Sequence, residues 1–302
     1  MENHDYHISV LLQECITALN INPSGRYVDV TFGGGGHSKE ILKYLTDGRL
    51  FVFDQDEDAI ANIPANTQLT FVGHNFRFLK RFLAYHQEIP VDGILADLGI
   101  SSYQIDSGSK GFSTRFEGPM DMRMNQNSGL TASDILHDYN EIELVRIFSE
   151  YGEVRNSKTL ASAIVAARQN GVRFESTLAF IAFLDNYTMG GNPNKYYAQV
   201  FQALRIEVND EMNALKDMLT QSYNVLGKGG RLAVITFHSL EDRIVKNFMK
   251  SGNFEGIRIS DEYGKSKKYF KLISKKPIEA SKEELKLNKR SRSAKLRIAE
   301  KI

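Results

Sequence analysis

A single cysteine, Cys15, excludes an intrachain disulfide. It sits in the apolar helical pattern Leu11, Leu12, Cys15, Ile16 and Leu19, so it reads as core and not as a nucleophile. No apolar run approaches the ~20 residues that a membrane span needs. The opening MENHDYHISV lacks the charged-then-apolar order of a signal peptide. These absences point to a reducing cytoplasm. Internal repeats and low-complexity segments are missing too, which leaves an ordinary globular composition, 42% hydrophobic and 25% charged. Net charge is only +1, but it is segregated: residues 265–302 hold 14 Lys and Arg against 4 Glu, a balance of +10, leaving −9 on residues 1–264. Such a segment is either a face for a polyanion or a solvated tail. Leu296 and Ile298, with the alternation around them, favour a strand over a free tail.

The most informative stretch is Tyr27–Ser38, YVDVTFGGGGHS. An apolar, β-branched run breaks into four glycines, and a helical pattern follows. Strand, glycine turn and helix let backbone approach a nucleotide-like ligand in an open α/β sheet. Asp54 closes the next apolar run, Leu50–Phe53, 19 residues beyond Gly35. That is about the ~20-residue spacing of a carboxylate that grips ribose hydroxyls.

Strands are expected at 26–32, 50–54, 70–73 and 91–97, and helices at 9–20, 38–46, 57–63 and 77–85. This alternation implies crossovers and a parallel sheet. Residues 106–128, rich in Gly, Ser, Asp, Arg and Met, read as an ordered functional loop or a boundary. Helical stripes follow: Ile142, Val145 and Phe148; Leu160, Ile164 and Ala167; Leu178, Ile181 and Leu184. A further helix through Phe201 to Leu219 is expected to end at Gly227–Gly230, before a strand at 231–237. Tyr269–Ser274 and Ser293–Ala299 read as a final strand pair flanking a short Glu- and Lys-rich helix. The organisation expected is an α/β domain, residues 1–110 and 209–302, interrupted by a helical insertion, residues 111–208.

A dinucleotide site and an S-adenosylmethionine site share the glycine turn and the ribose acid. Three features favour the methyl donor: the spacing of Asp29 to Gly33 and Gly35, the closing strand pair, and Asp97-Leu-Gly-Ile-Ser101-Ser102 after the fourth strand. Asp97 alone could cap its loop, but Asp29, Asp54 and Asp97 end three successive strands at one edge. No His or Cys stands at ligand spacing between them, so no metal is expected. His37 either packs on the loop or contacts ligand, and Ser38 reads as a helix N-cap. Ser239 with Asp242 reads as a variant capping box, which leaves His238 available to the cleft. Phe76 is either core or an adenine-stacking ring.

The chain resembles the bacterial small-subunit ribosomal RNA cytosine-N4 methyltransferases along nearly its whole length. The resemblance rests on His7–Glu14, Tyr27–Ser38, Asp92–Ser102, Gly111–Ser113, Gly118–Met124, Phe201–Ile206, Phe237–Arg243 and Arg290–Arg297. Tyr103, Thr114, Tyr196–Val200 and the short region between Met249 and Tyr269 depart from it. It implies a Rossmann-like class I fold, with a doubly wound, mostly parallel seven-stranded sheet. It also implies S-adenosylmethionine as cofactor and a decoding-centre cytosine in 16S RNA, naked or in the assembled small subunit, as target. Cofactor contacts carried over are Gly35, Gly36, His37, Asp54, Phe76, Asp97 and Gln104, beside Gly33 of the turn. Candidates for handling the amine proton are Asp97, Ser101, Ser102 and His238. Candidates for RNA phosphate are Arg115, Arg123, Lys289, Arg290, Arg292, Lys295 and Arg297. A nicotinamide-dependent oxidoreductase and a noncatalytic ribosome-assembly factor are the competing classes.

Overall fold

The computed structural model describes residues 9–106, 108–127, 129–188, 190–257 and 268–302, apart from the side chains of Ser102 and Tyr103. The segment MENHDYHI, with His7 of the first motif, lies outside the described residues, as do the side chain of the candidate Ser102 and most of the short region after Met249. No described helix is long and apolar enough to cross a membrane.

The chain forms two compact units, one of Met1–Gly99 with Met212–Ile302 and the other of Ile100–Glu211. The first is built on seven strands: β1 (Arg26–Asp29), β2 (Arg49–Phe53), β3 (Leu69–Val72), β4 (Val91–Asp97), β5 (Leu226–Thr236), β6 (Phe270–Leu272) and β7 (Lys295–Lys301). Their order is β3-β2-β1-β4-β5-β7-β6. The pairs from β3 to β5 are parallel, and β7 runs antiparallel to both β5 and β6. The chain winds outward from β1 one way and from β4 the other, so the switch point where such sheets bind ligands lies at their carboxyl ends.

Both sheet faces are covered, which is why the strands are apolar on each side of the pleat. Val28, Phe51, Phe53, Ile94, Ala96, Leu232 and Val234 pack with Leu79, Leu83, Leu215, Met218, Val245 and Phe248. Tyr27, Leu50, Val52, Leu95, Ala233 and Ile235 pack with Leu11, Cys15, Ile16, Leu19, Ile41 and Leu42. Cys15 is fully buried, as its pattern indicated, and burial pushes its thiol well above the usual range.

β4 has the expected span; other elements differ at their ends. β1 stops at Asp29, because Thr31 turns its N–H onto the Asp29 carboxylate at 3.1 Å. The expected helix at 57–63 is a 3-10 turn, Glu57–Asn62, and the one at 77–85 splits into Phe76–Phe78 and Leu79–Tyr85. Gly227–Gly230 does not terminate a helix in loop conformation. It lies inside β5, where the pairing with β4 shifts register between Val91 and Gly93 and Gly229 takes φ 81°.

The second unit is helical, around a core that includes Phe112, Met120, Met122, Leu136, Phe148, Leu160, Phe180 and Leu204. Two expected stripes are corrected. Ile142 is 81% exposed and Leu178 42%, while Leu144, Ile147 and Phe148 on one helix and Phe180 and Leu184 on the other face the core. In segments apolar on several faces, a stripe displaced by one or two residues fits the 3.6-residue period almost as well. The compact unit runs from Ile100, ahead of the expected boundary at 111, and residues 108–110 are bonded to the loop that follows. Gly111 N–H donates to Gly108 O at 3.0 Å and Met122 N–H to Lys110 O at 2.8 Å. It extends to Glu211, where Arg205 holds that carboxylate through two hydrogen bonds of 2.8 and 3.0 Å.

Candidate active site

The carboxyl edge of β1, β2 and β4 gathers the acids and the glycine turn of the first unit. Past β1, Gly33 and Gly35 adopt φ 50° and 75°, which favour glycine. A Cβ on Gly35 would lie 2.9 Å from the Phe32 ring, and one on Gly36 would collide with the Ser9 hydroxyl. The chain thereby enters the helix Gly36–Leu42 with Gly35, and not Ser38, as its N-cap. Ser38 lies one turn inside, fully buried, and donates to Asp29 Oδ2 at 2.6 Å. The same carboxylate receives the Thr31 N–H on its other oxygen, and Thr31 Oγ1 accepts the Asp97 N–H at 2.6 Å. Asp29 is therefore a buried brace that ties the end of β1 to the helix and, through Thr31, to the end of β4.

Asp54 is bound to the turn directly. Gly33 N–H donates to Asp54 Oδ2 at 2.8 Å and Asp56 N–H to Oδ1 at 2.9 Å, while Asn62 Nδ2 holds Gly33 O at 3.0 Å. Burial lifts the Asp54 carboxyl to about 6 against these two N–H bonds, with Asp56 and Asp29 pushing further upward. The loop after β3 joins the neighbouring one, as Asn75 Nδ2 donates to Gln55 Oε1 at 2.8 Å. Phe76, next in that loop, is half-buried and packs on the core.

His37 Nε2 stands 3.0 Å from the carbonyl oxygen of Val10, which can only accept, so that nitrogen carries the proton. Nδ1 faces Asp97 Oδ2 at 3.8 Å. Asp97 Oδ1 is buried with no hydrogen-bond partner among the described residues. Burial raises the Asp97 carboxyl to about 6; His37 pulls it down, and Asp29 and Glu241 push it up. An acid that ionises in the working range, with a buried oxygen left open, is equipped to take a proton or to hold a positive centre.

The Phe237–Arg243 segment differs from its expected reading. The N-cap of the helix Ser239–Ser251 is His238, with no side-chain cap bond. Glu241, 2% exposed, takes the Phe237 N–H at 2.9 Å, and His238 Nε2 lies 3.0 Å from its other oxygen. His238 is nearly buried, with a side chain 11% exposed. Asp242 is no cap: it receives Arg297 Nε at 2.6 Å and Nη2 at 3.0 Å. Arg297, read as a phosphate ligand, is thus held inside the first unit. Asp242→Ala is expected to cost ~3 kcal/mol in urea unfolding, because it strands the guanidinium. The double variant Asp242→Leu, Arg297→Met should recover most of that loss.

The remaining candidates fall as follows. Ser101 and Gln104 belong to the helical unit and satisfy each other: Ser101 N–H donates to Gln104 Oε1 at 3.0 Å and Gln104 N–H to Ser101 Oγ at 3.2 Å. Arg123 is taken by Asp121 through bonds of 2.9 and 2.7 Å, which also hold the Asp121 carboxyl below its usual range against burial. Arg115 is largely exposed, 3.5 Å from Asp106 and over the Phe116 ring. Lys289 and Arg292 are exposed beside β7, and Arg290 and Lys295 are half-buried. Nothing in the sequence marks Thr31, Asn62 or Glu241 as braces, and it marks Ser38 as a cap and not as a brace.

A family model described as the MraW methylase family matches residues 4–302. A protein of Parabacteroides distasonis named ribosomal RNA small subunit methyltransferase H is 52% identical over 306 residues, covering 100% of both chains. A protein of the same name from Bacteroides thetaiotaomicron is 54% identical, covering 98% of this chain and 97% of its own. Another, from Cytophaga hutchinsonii, is 52% identical, covering 98% and 99%. The seven-stranded sheet, with its antiparallel closing strand, is the class I methyltransferase fold. The chain belongs to the MraW methylase family and is an S-adenosylmethionine-dependent methyltransferase.

Proposed function

We propose that the enzyme methylates the exocyclic N4 amine of a decoding-centre cytosine in small-subunit ribosomal RNA, in the cytoplasm. The observation that carries this reading is the joined set of Gly33–Asp54 and Thr31–Asp97 hydrogen bonds, with Asp97 Oδ1 left open beside them. The relatives' name, ribosomal RNA small subunit methyltransferase H, supports the RNA.

Bound S-adenosylmethionine supplies an electrophilic sulfonium methyl. Asp54 would hold the ribose hydroxyls on the lone pairs that Gly33 and Asp56 leave free, and the Gly33–Gly36 turn would let backbone approach the ligand. The N4 lone pair of cytosine is delocalised into the ring, so the amine becomes acidic as it attacks. Asp97 Oδ1, the open buried acceptor, would take the proton that N4 gives up on accepting the methyl. Transfer to C5 of the pyrimidine instead requires a thiolate to add to the ring. The chain's one thiol, Cys15, is fully buried and held protonated, which favours nitrogen over carbon.

Incubating the purified protein with S-adenosylmethionine and undermodified small subunits, then analysing nucleosides by mass spectrometry, should yield N4-methylcytidine at one position. A methyl on carbon, on another base or on no nucleoside refutes the reading.

A further inference from the structure

A recess in the sheet-bearing unit is lined by groups that the methyl-transfer reading does not use. It measures about 350 Å³ and opens where the helix Ser239–Ser251 lies beside the β6–β7 edge. Lys246 and Lys250 rise from the helix, and Lys275 and Lys276 from the chain just past β6. All four are exposed, and none has an ion pair or hydrogen bond among the described residues. Asp242, on the same helix, is already neutralised by Arg297, whose side chain forms part of the wall. The lining also includes the apolar Met249, Leu272 and Ile298. The Ser274 hydroxyl also lines it, buried and with no hydrogen-bond partner among the described residues.

From this arrangement we infer that the recess takes one nucleotide of single-stranded RNA, its base on the apolar floor and its flanking phosphates on the lysines. The volume lies at the small end of the ~300–1,000 Å³ of ligand pockets, suited to one nucleotide. The open Ser274 hydroxyl offers a hydrogen bond to a base edge or ribose. Lysines from two separate elements, the helix and the chain past β6, offer charge to more than one phosphate. Four unpaired cations also exceed what one free nucleotide neutralises, which favours a through-running polymer. Lys246 stands eight residues from His238, about 12 Å along the helix axis. The RNA held here is therefore set apart from the nucleotide undergoing methylation, as a second hold on the same strand.

The inference rests on RNA being the substrate, and the test separates the two. Anisotropy of a labelled short single-stranded RNA is followed against salt for the wild type, for Lys250→Ala with Lys276→Ala, and for Ser274→Val. S-adenosylmethionine affinity checks the fold of each variant. Loss of two phosphate contacts should lower the slope of log affinity against log salt by about 1.4. Thiouridine-bearing RNA should crosslink to the peptide containing Lys275 and Lys276. An unchanged slope with crosslinks elsewhere overturns the site, even if the wild type methylates ribosomal RNA. Weakened binding of adenosine monophosphate, with RNA binding untouched, overturns the polymer in favour of a free nucleotide. A wild type that transfers no methyl to RNA refutes the function proposed above, whatever the slopes show.

Discussion

Replacing Asp97 by asparagine is expected to lower kcat by about 10²–10⁴, the contribution of a positioned proton acceptor, the role proposed for it. It should also remove the acidic limb of the kcat profile. In the wild type that limb falls near pH 6, since burial lifts the Asp97 carboxyl to about 6, and the rate rises with pH as the carboxylate forms. Asp54 ionises in the same range, so its limb persists in kcat/KM of the variant while that of kcat disappears. A variant with full turnover, or with the wild-type kcat limb intact, excludes Asp97 as the acceptor.

The same substitution should raise stability at neutral pH. The native Asp97 carboxyl titrates at about 6 against 3.8 for the unperturbed group, so between those values the folded protein holds a proton that the unfolded chain has released. Stability is then complete below pH 3.8 and falls as pH rises through 6, by roughly 2–3 kcal/mol for such a group. Asparagine carries no such penalty, and Asp97 gives up no side-chain hydrogen bond, only a His37 contact of 3.8 Å. Urea unfolding should show Asp97→Asn more stable than the wild type at pH 7–8, with the gap closing towards pH 4. A gap of constant size would mean that Asp97 ionises as freely in the fold as in water.

The sheet was legible where local pattern and burial coincide. β4 centres on the apolar run Ile94–Ala96, ended by Asp97, with Asp92 exposed near its start. The turn at Gly33–Gly36 was legible because the backbone conformation there nearly requires glycine. Partners across the fold were not. Serine after glycines reads as a cap by local preference, and only the approach of β1 shows that Ser38 serves Asp29 instead. Arg123 and Arg297 carry the charge expected of phosphate ligands, yet each has a carboxylate in forked contact, a pairing fixed by structure and not by composition. Ser239 and Asp242 fit a capping pattern that Glu241 pre-empts by taking the Phe237 N–H.

Asp54→Ala should weaken S-adenosylmethionine binding by ~10² or more in calorimetry. Two hydroxyl-to-carboxylate hydrogen bonds at about 1.5–3 kcal/mol each are at stake, less what the alanine protein recovers by avoiding desolvation of a charge. The substitution also frees Gly33 N–H and Asp56 N–H, which Asp54 now holds at 2.8 and 2.9 Å. The turn therefore loses its tie to β2 as well as its proposed ribose acceptor. Asn62 still holds the Gly33 carbonyl, so the loop is loosened and not released. Asp54→Asn separates these effects. One amide oxygen can keep one of the two N–H bonds, but the amide nitrogen no longer accepts, so affinity should fall between wild type and alanine. S-adenosylhomocysteine should lose as much affinity as the methyl donor, because the ribose is common to both and the sulfonium charge is not. If only the charged donor is weakened, Asp54 acts on the sulfonium through space, and the ribose needs another acceptor at this edge.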